Sequence, residues 1–317
     1  MSQTDAPGSV LSLSRVTKSF GEKRAVDGLD LEIPKGSVFG LLGQNGAGKS
    51  TTIRMALNIY LPDAGEVRLF GRPHAPGMMD RVGYLPEERG LYTKMKVVDL
   101  LVYLANIKGV PVGEARKRVD RWLERVELPG VRDKKPVELS KGMQQKIQFI
   151  ATVMHEPELI VLDEPFSGLD PVNLGVLKDL MLGLRERGAT IIFSTHIMEQ
   201  AERLCDAICL IHAGRAILND SVSRIREREG RNTIALAFDG DGSFLRQHRL
   251  VAGVDSYPSY VELRLTDGAD PQALLADITS RVRVRRFEIV APSLNDIFIR
   301  HVRQAGALQS EPEVAHA

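Results

Sequence analysis

The stretch Gly43-Gln44-Asn45-Gly46-Ala47-Gly48-Lys49-Ser50-Thr51 decides how this chain is read. It has the form G-x-x-x-x-G-K-[ST]. An apolar run, Val38-Phe39-Gly40-Leu41-Leu42, precedes it, and Ile53-Arg54-Met55-Ala56-Leu57 follows. The spacing predicts a buried strand, a glycine-rich loop and a helix. Glycines there let successive backbone N–H groups point into one concavity, and the helix N-terminus adds partial positive charge. A polyphosphate fits such a cradle. Lys49 can reach its β- and γ-phosphates, and the Ser50 hydroxyl can sit on Mg²⁺. With every fixed position filled in the right setting, a mere glycine-rich turn is the poorer reading.

Working outward, 317 residues suit one large domain or two smaller ones. With 43% hydrophobic and 26% charged residues, the composition is that of an ordinary globular protein. Lys and Arg number 42 against 41 Asp and Glu, so no global charge favours nucleic acid. The two cysteines, Cys205 and Cys209, lack CxxC spacing and are read as buried free thiols in a reducing compartment. No apolar run is long enough to span a bilayer, and residues 1–9 lack the basic and apolar regions of a secretory signal. The chain is therefore expected in the cytoplasm, with any membrane role supplied by a partner.

Along the chain, alternation predicts strands over 10–16 and 28–33, and turns flank a short strand at 66–70. Another strand covers 82–86. Helices are expected over 97–108 and 114–127. In the second, Val119, Trp122, Leu123 and Val126 form one apolar stripe, which assigns Trp122 to core packing over ligand stacking. Ser140 is an N-cap for a helix over 141–153. Leu159-Ile160-Val161-Leu162 reads as a buried parallel strand, a helix covers 172–187, and a strand covers 190–193. Ser194-Thr195-His196 is read as opening the next helix. Strands alternating with helices mean an α/β sheet with its chemistry at the strands' carboxyl ends.

The charged stretch 223–231 is taken as the close of the first domain. Beyond it, strands at 233–238, 260–266 and 282–290 and helices at 271–280 and 293–302 make a small α+β module. The organisation is thus a flexible 1–9, a nucleotide-binding domain over 10–230, an accessory domain over 231–303 and a disordered tail over 304–317. Arg281, Arg283 and Arg285 share one strand face, read as solvated because no aromatic residues interleave for base stacking.

Two further motifs carry chemistry. Asp163 closes an apolar strand and is placed to hold Mg²⁺, and the adjacent Glu164 can take a proton from the water attacking a γ-phosphate. Upstream lies Leu139-Ser140-Lys141-Gly142-Met143-Gln144-Gln145. Together with the phosphate loop and Asp163-Glu164, it resembles the signature sequence of ATP-binding cassette (ABC) ATPases. The likeness runs in order over about 220 residues, from the first strand to the charged stretch. Phe20 occupies the position of the family's adenine-stacking aromatic. Ser167-Gly168-Leu169-Asp170 matches the D-loop, and His196 matches the switch histidine that contacts the γ-phosphate.

The resemblance implies a P-loop ABC fold: a RecA-like core with a β-subdomain and a helical subdomain, followed by the small C-terminal domain. It implies ATP and Mg²⁺ as cofactors. Residues 43–51, with Phe20, would hold the nucleotide. Ser50, Asp163 and Glu87 would serve the metal, Glu164 would act as general base, and Lys49 and His196 would act on the γ-phosphate. Two such domains close head to tail around two ATP molecules, so Ser140 and Gly142 would contact the ATP of a partner subunit, in a homodimer or a heterodimer. Three positions depart from the pattern. Lys141 stands where glycine is usual, Met143 where glutamine is common, and Glu87, in Gly83-Tyr84-Leu85-Pro86-Glu87-Glu88, where the family has glutamine.

The wording of 85–92 and the ending Pro292-Ser293-Leu294-Asn295-Asp296-Ile297-Phe298 resemble ATPase subunits of ABC-2-type exporters, the sodium-efflux and antibiotic-export branch. That implies a subunit docked on a membrane-spanning permease at the inner face of the membrane. The rival from another class is a soluble ABC ATPase of nucleic-acid or translation processes. Such proteins usually carry two cassettes or a coiled-coil insertion, which this sequence lacks. A regulatory module without turnover fits poorly with both Glu164 and His196 present.

Overall fold

A computed structural model describes residues 8–88, 90–92, 94–230, 233–266, 268–290 and 293–309. The expected flexibility of residues 1–7 and disorder of 310–317 lie outside it, as do Arg89, Arg231 and Pro292. The contacts divide the chain into two units, Met1–Asn219 and Asp220–Ala317.

In the first unit, β1 (Ser9–Phe20) and β2 (Lys23–Pro34) pair antiparallel. Their alternation buries Leu11, Leu13, Leu29, Leu31 and Ile33 on one face. β3 (Val38–Leu42) leads through the glycine-rich loop into α1 (Lys49–Ala56). β4 (Ala64–Leu69) and β5 (Arg72–Pro73) complete a four-stranded sheet of order β2-β1-β4-β5. β6 (Val82–Leu85) then enters a second sheet. The helices α2 (Val97–Ile107), α3 (Val112–Arg125) and α4 (Lys141–Val153) follow. The α3 stripe packs inward as expected, with Val119, Trp122, Leu123 and Val126 all buried.

β7 (Leu159–Asp163), α5 (Pro171–Glu186), β8 (Thr190–Thr195), α6 (Met198–Leu204), β9 (Ala207–His212) and β10 (Arg215–Ser221) finish the second sheet. Its order is β10-β9-β3-β8-β7-β6, parallel from β9 to β6. β3, β7 and β8 are buried along their whole length, and apolar runs fill them up to the polar residues Asp163, Ser194 and Thr195 at the ends of β7 and β8. Register sets the chemistry: Leu42 pairs with Thr195, Asp163 with Ser194, and Leu85 with Leu162. The residues that follow these strands therefore emerge side by side.

The second unit begins with α7 (Val222–Gly230) and β11 (Thr233–Asp239). β12 (Val251–Ser256), β13 (Val261–Leu265), α8 (Pro271–Thr279), β14 (Arg283–Ile289) and α9 (Leu294–Gln309) follow. An antiparallel sheet of order β12-β13-β11-β14 packs Leu236 and Leu263 with Leu274 and Ile278 of α8. Arg283 and Arg285 lie exposed on β14, and Arg285 pairs with Asp239 at 2.7 Å.

Several expectations shift. The junction precedes the charged stretch instead of following it, because that stretch is the helix α7, with Val222 and Ile225 buried beneath its charges. The strand β8 continues through Thr195, so Ser194 and Thr195 end a strand where a helix start was expected. The Thr195 hydroxyl then accepts the Ile197 N–H and turns the chain. The last helix runs on to Gln309, past residue 304. β9, β10 and β12 were not anticipated from periodicity. Both cysteines are buried free thiols, and burial pushes the Cys209 pKa up to about 12. No helix of the described residues is long and apolar enough to cross a membrane.

Candidate active site

The glycine-rich loop leaves β3 and closes on α1 through Gly48, which holds φ 112°. A Cβ there would lie 2.5 Å from the Ala25 carbonyl oxygen, so this approach of loop to β2 admits only glycine. Lys49, 6% exposed, turns back onto the loop. Its Nζ donates to the carbonyls of Gly43 at 2.8 Å and Gln44 at 3.2 Å. It also lies 3.4 Å from Glu164 Oε1.

Ser50, the next residue, donates to Asp163 Oδ1 at 3.2 Å. Ser194 donates to the same oxygen at 2.5 Å and accepts the Glu164 N–H at 2.9 Å. Asp163 is wholly buried, and its Oδ2 has no hydrogen-bond partner. A buried orphan carboxylate oxygen beside a hydroxyl is the oxygen chemistry that suits a hard cation. Ser194 ties Asp163 and Glu164 to the neighbouring strand, a role that sequence reading missed. The only signal was a serine two positions before the histidine at a strand end.

Glu164 holds φ 49°, a left-handed conformation that costs a glutamate about 1–3 kcal/mol. The Ser194 bond and the turn bond from the Ser167 N–H to the Glu164 carbonyl keep it there. Its carboxylate, 8% exposed, faces His196 Nδ1 at 3.1 and 3.2 Å as well as Lys49. One carboxylate thus meets a lysine from the loop and a histidine from the end of β8.

A cleft of about 390 Å³ opens over the loop. Phe20, Lys23, Asn45, Lys49, Glu87 and Glu164 contribute to its walls. Phe20 is 47% exposed and stands edge-on to Tyr60, with ring centroids 5.4 Å apart, and Lys18 Nζ lies 5.8 Å from its ring centroid. Glu87 follows β6. Burial, then the charges of Asp163 and Glu87, raise the pKa of the nearby Tyr84 hydroxyl, while a hydrogen bond with Arg54 opposes them. Two of the predicted residues lie on a different element, α4. Ser140 caps α4 by accepting the Met143 N–H at 3.3 Å, and Gly142 lies in the first turn of that helix, near Asn173.

Sequence comparison matches residues 26–167 to the ABC transporter family and residues 221–302 to the C-terminal domain of DrrA1-3-like ATP-binding proteins. The uncharacterized ABC transporter ATP-binding protein YhaQ of Bacillus subtilis (strain 168) is 45% identical over 293 residues, covering 92% of this chain and 98% of YhaQ. The chain belongs to the ATP-binding subunits of ABC transporters. This ABC ATPase is also 34% identical over 297 residues to the Nod factor export ATP-binding protein I of Paraburkholderia xenovorans (strain LB400), covering 93% and 97% of the two chains. A solved ATP-binding subunit of an ABC transporter superposes with a TM-score of 0.64 at 30% identity, over 69% of this chain and 92% of that one. The ABC ATPase thus binds and hydrolyses ATP, in the α/β P-loop fold expected from its sequence.

Proposed function

We propose that this ABC ATPase powers export through a separate membrane-spanning permease, docked in the cytoplasm at the inner face of the membrane. Two copies, or one copy and a related ATPase, would close around two ATP molecules and part after hydrolysis. The observation that carries this reading is the meeting of Lys49, Ser50, Asp163, Glu164 and His196 where β3, β7 and β8 end.

Residues 43–51 would wrap the phosphates, with Lys49 on the β- and γ-phosphates and Phe20 against the adenine. Ser50, Asp163 and Glu87 would hold Mg²⁺, which when bound supplies charge neutralisation to the phosphates. The unpartnered Asp163 Oδ2 supports that assignment. A triphosphate drawing Lys49 away would release Glu164 from its ion pair. Glu164 is then free to accept the proton of the attacking water, with His196 beside it to meet the γ-phosphate. Ser140 and Gly142, at the N-terminus of α4, would donate to the partner subunit's ATP. Export as the direction of transport rests on the likeness to the Nod factor export ATP-binding protein I.

The test is co-purification with a permease encoded beside this chain, followed by ATPase assays in proteoliposomes with Mg²⁺ and with a chelator. Metal-dependent turnover stimulated by the permease is expected. Turnover indifferent to every such permease would overturn the transport reading.

A further inference from the structure

The phosphate loop, Glu164 and His196 follow the carboxyl ends of the parallel strands β3, β7 and β8. At the opposite ends, where β7 and β8 begin, a second cleft of about 410 Å³ lies between α3 and the end of α5. That size is within the range of small-molecule sites. Trp122 sits at its floor, 6% exposed and edge-on to Phe149. The Arg125 guanidinium lies over the indole, 4.6 Å from its centroid. Arg187 enters from the end of α5.

The charges of this cleft do not cancel. Glu158 is held by Arg81 through two bonds of 2.6 and 2.9 Å, and Glu156 pairs with Arg118 at 3.3 Å. Arg118 and Arg121 both bind Glu114, at 3.1 and 3.0 Å. Arg125 and Arg187 have no carboxylate partner among the described residues. Burial and the charge of Arg187 lower the Arg125 pKa, so the two guanidinium groups feel one another. Position in or just after the last turn of a helix favours one cation at each site. It does not account for two like charges converging beside an aromatic floor.

We propose that this cleft binds a small phosphate monoester, with Arg125 and Arg187 holding the phosphate and the organic part resting against Leu184 and Pro157. Two guanidinium forks offer more parallel N–H donors than one carboxylate can accept, and they match the three terminal oxygens of a phosphate dianion. The bound anion would relieve the Arg125–Arg187 repulsion and bridge α3 to α5. The site is separate from the ATP cleft and independent of its assignment.

Trp122 is the single tryptophan of the chain, so all tryptophan emission comes from the floor of this cleft. The experiment titrates the full-length protein with phenyl phosphate, with inorganic phosphate, and with potassium chloride at matched ionic strength, exciting the tryptophan. A saturable change with phenyl phosphate, weaker with inorganic phosphate, is expected. It should persist in Lys49→Ala, which disables the phosphate loop, and weaken at least about tenfold in Arg187→Ala, which removes one fork. Arg187 is exposed, and circular dichroism of the variant checks that it folds. Absence of saturation, an equal response to chloride, or full binding by Arg187→Ala overturns the proposal. Loss of the signal in Lys49→Ala overturns it too, by tracing the effect to the ATP cleft.

Discussion

Glu164 stands between Lys49 Nζ at 3.4 Å and His196 Nδ1 at 3.1 Å, in a backbone conformation that glutamate rarely adopts. If it is the general base, Glu164→Gln keeps the shape and removes the proton acceptor. Phosphate release should fall by about 10²–10⁴ while ATP binding persists, and size-exclusion chromatography with Mg·ATP should show a lasting dimer. Phosphate release at the wild-type rate would remove Glu164 from the chemistry. Glu87 is exposed at the mouth of the same cleft, where the family has glutamine. Glutamate keeps a metal-binding oxygen and gains charge, but loses the amide donor. Glu87→Gln should therefore remain active, whereas Glu87→Ala should need more Mg²⁺ for half-maximal turnover. An unchanged Mg²⁺ titration in the alanine variant would make Glu87 an ordinary loop residue.

Between elements, the contact of β6 with α4 depends on one missing side chain. A Cβ on Gly83 would fall 2.2 Å from the Thr152 carbonyl oxygen of α4. Gly83→Ala must push strand and helix apart, costing about 1–3 kcal/mol, which a thermal melt at neutral pH will read. Beside this contact, His155 Nε2 faces the Val82 carbonyl at 3.3 Å and its Nδ1 has no partner. Burial, then the charge of Lys108, lower the His155 pKa to about 4. Below pH 6.5 the unfolded chain takes up a proton that the folded chain refuses, so stability falls as pH drops from 6.5 towards 4. After allowance for partial solvent access the loss is about 2 kcal/mol. Urea unfolding between pH 6.5 and 4.5 tests this. The window lies above the range where the lowered carboxylates of Asp27, Asp63 and Glu158 protonate. His155→Gln should flatten the slope, and an equally steep slope in that variant would move the cause elsewhere.

At the scale of the molecule, every residue placed around the ATP cleft precedes residue 197, and the second unit has its own hydrophobic core. A chain ending at residue 230 should therefore bind ATP within about threefold of the full chain, since remote groups add little to a preformed phosphate loop. Isothermal titration of the folded, truncated protein checks this. A large loss of affinity without unfolding would mean that residues beyond 230 act on the nucleotide. The small domain then has its effect, if any, on dimer closure, which chromatography of both forms with Mg·ATP compares.

Much of this molecule was legible in local stretches. A phosphate loop needs glycines, a lysine and a hydroxyl at consecutive positions, so Gly43 to Thr51 declared both fold class and ligand chemistry. Asp163-Glu164 at the end of an apolar run, Ser140 before a helix, and the apolar stripe of α3 were equally readable, because each depends on neighbours within a turn or two. β9, β10 and β12 escaped because short edge or core strands carry little periodicity, and α7 because its two buried apolar residues are hidden among charges. The tertiary structure alone decided which distant groups meet. Parallel register sets Ser194 against Asp163 and carries His196 to Glu164, and it brings β7 and β8 to begin at the cleft that Arg125 and Arg187 both line. Those distances follow from packing between segments far apart in sequence, which no local pattern encodes.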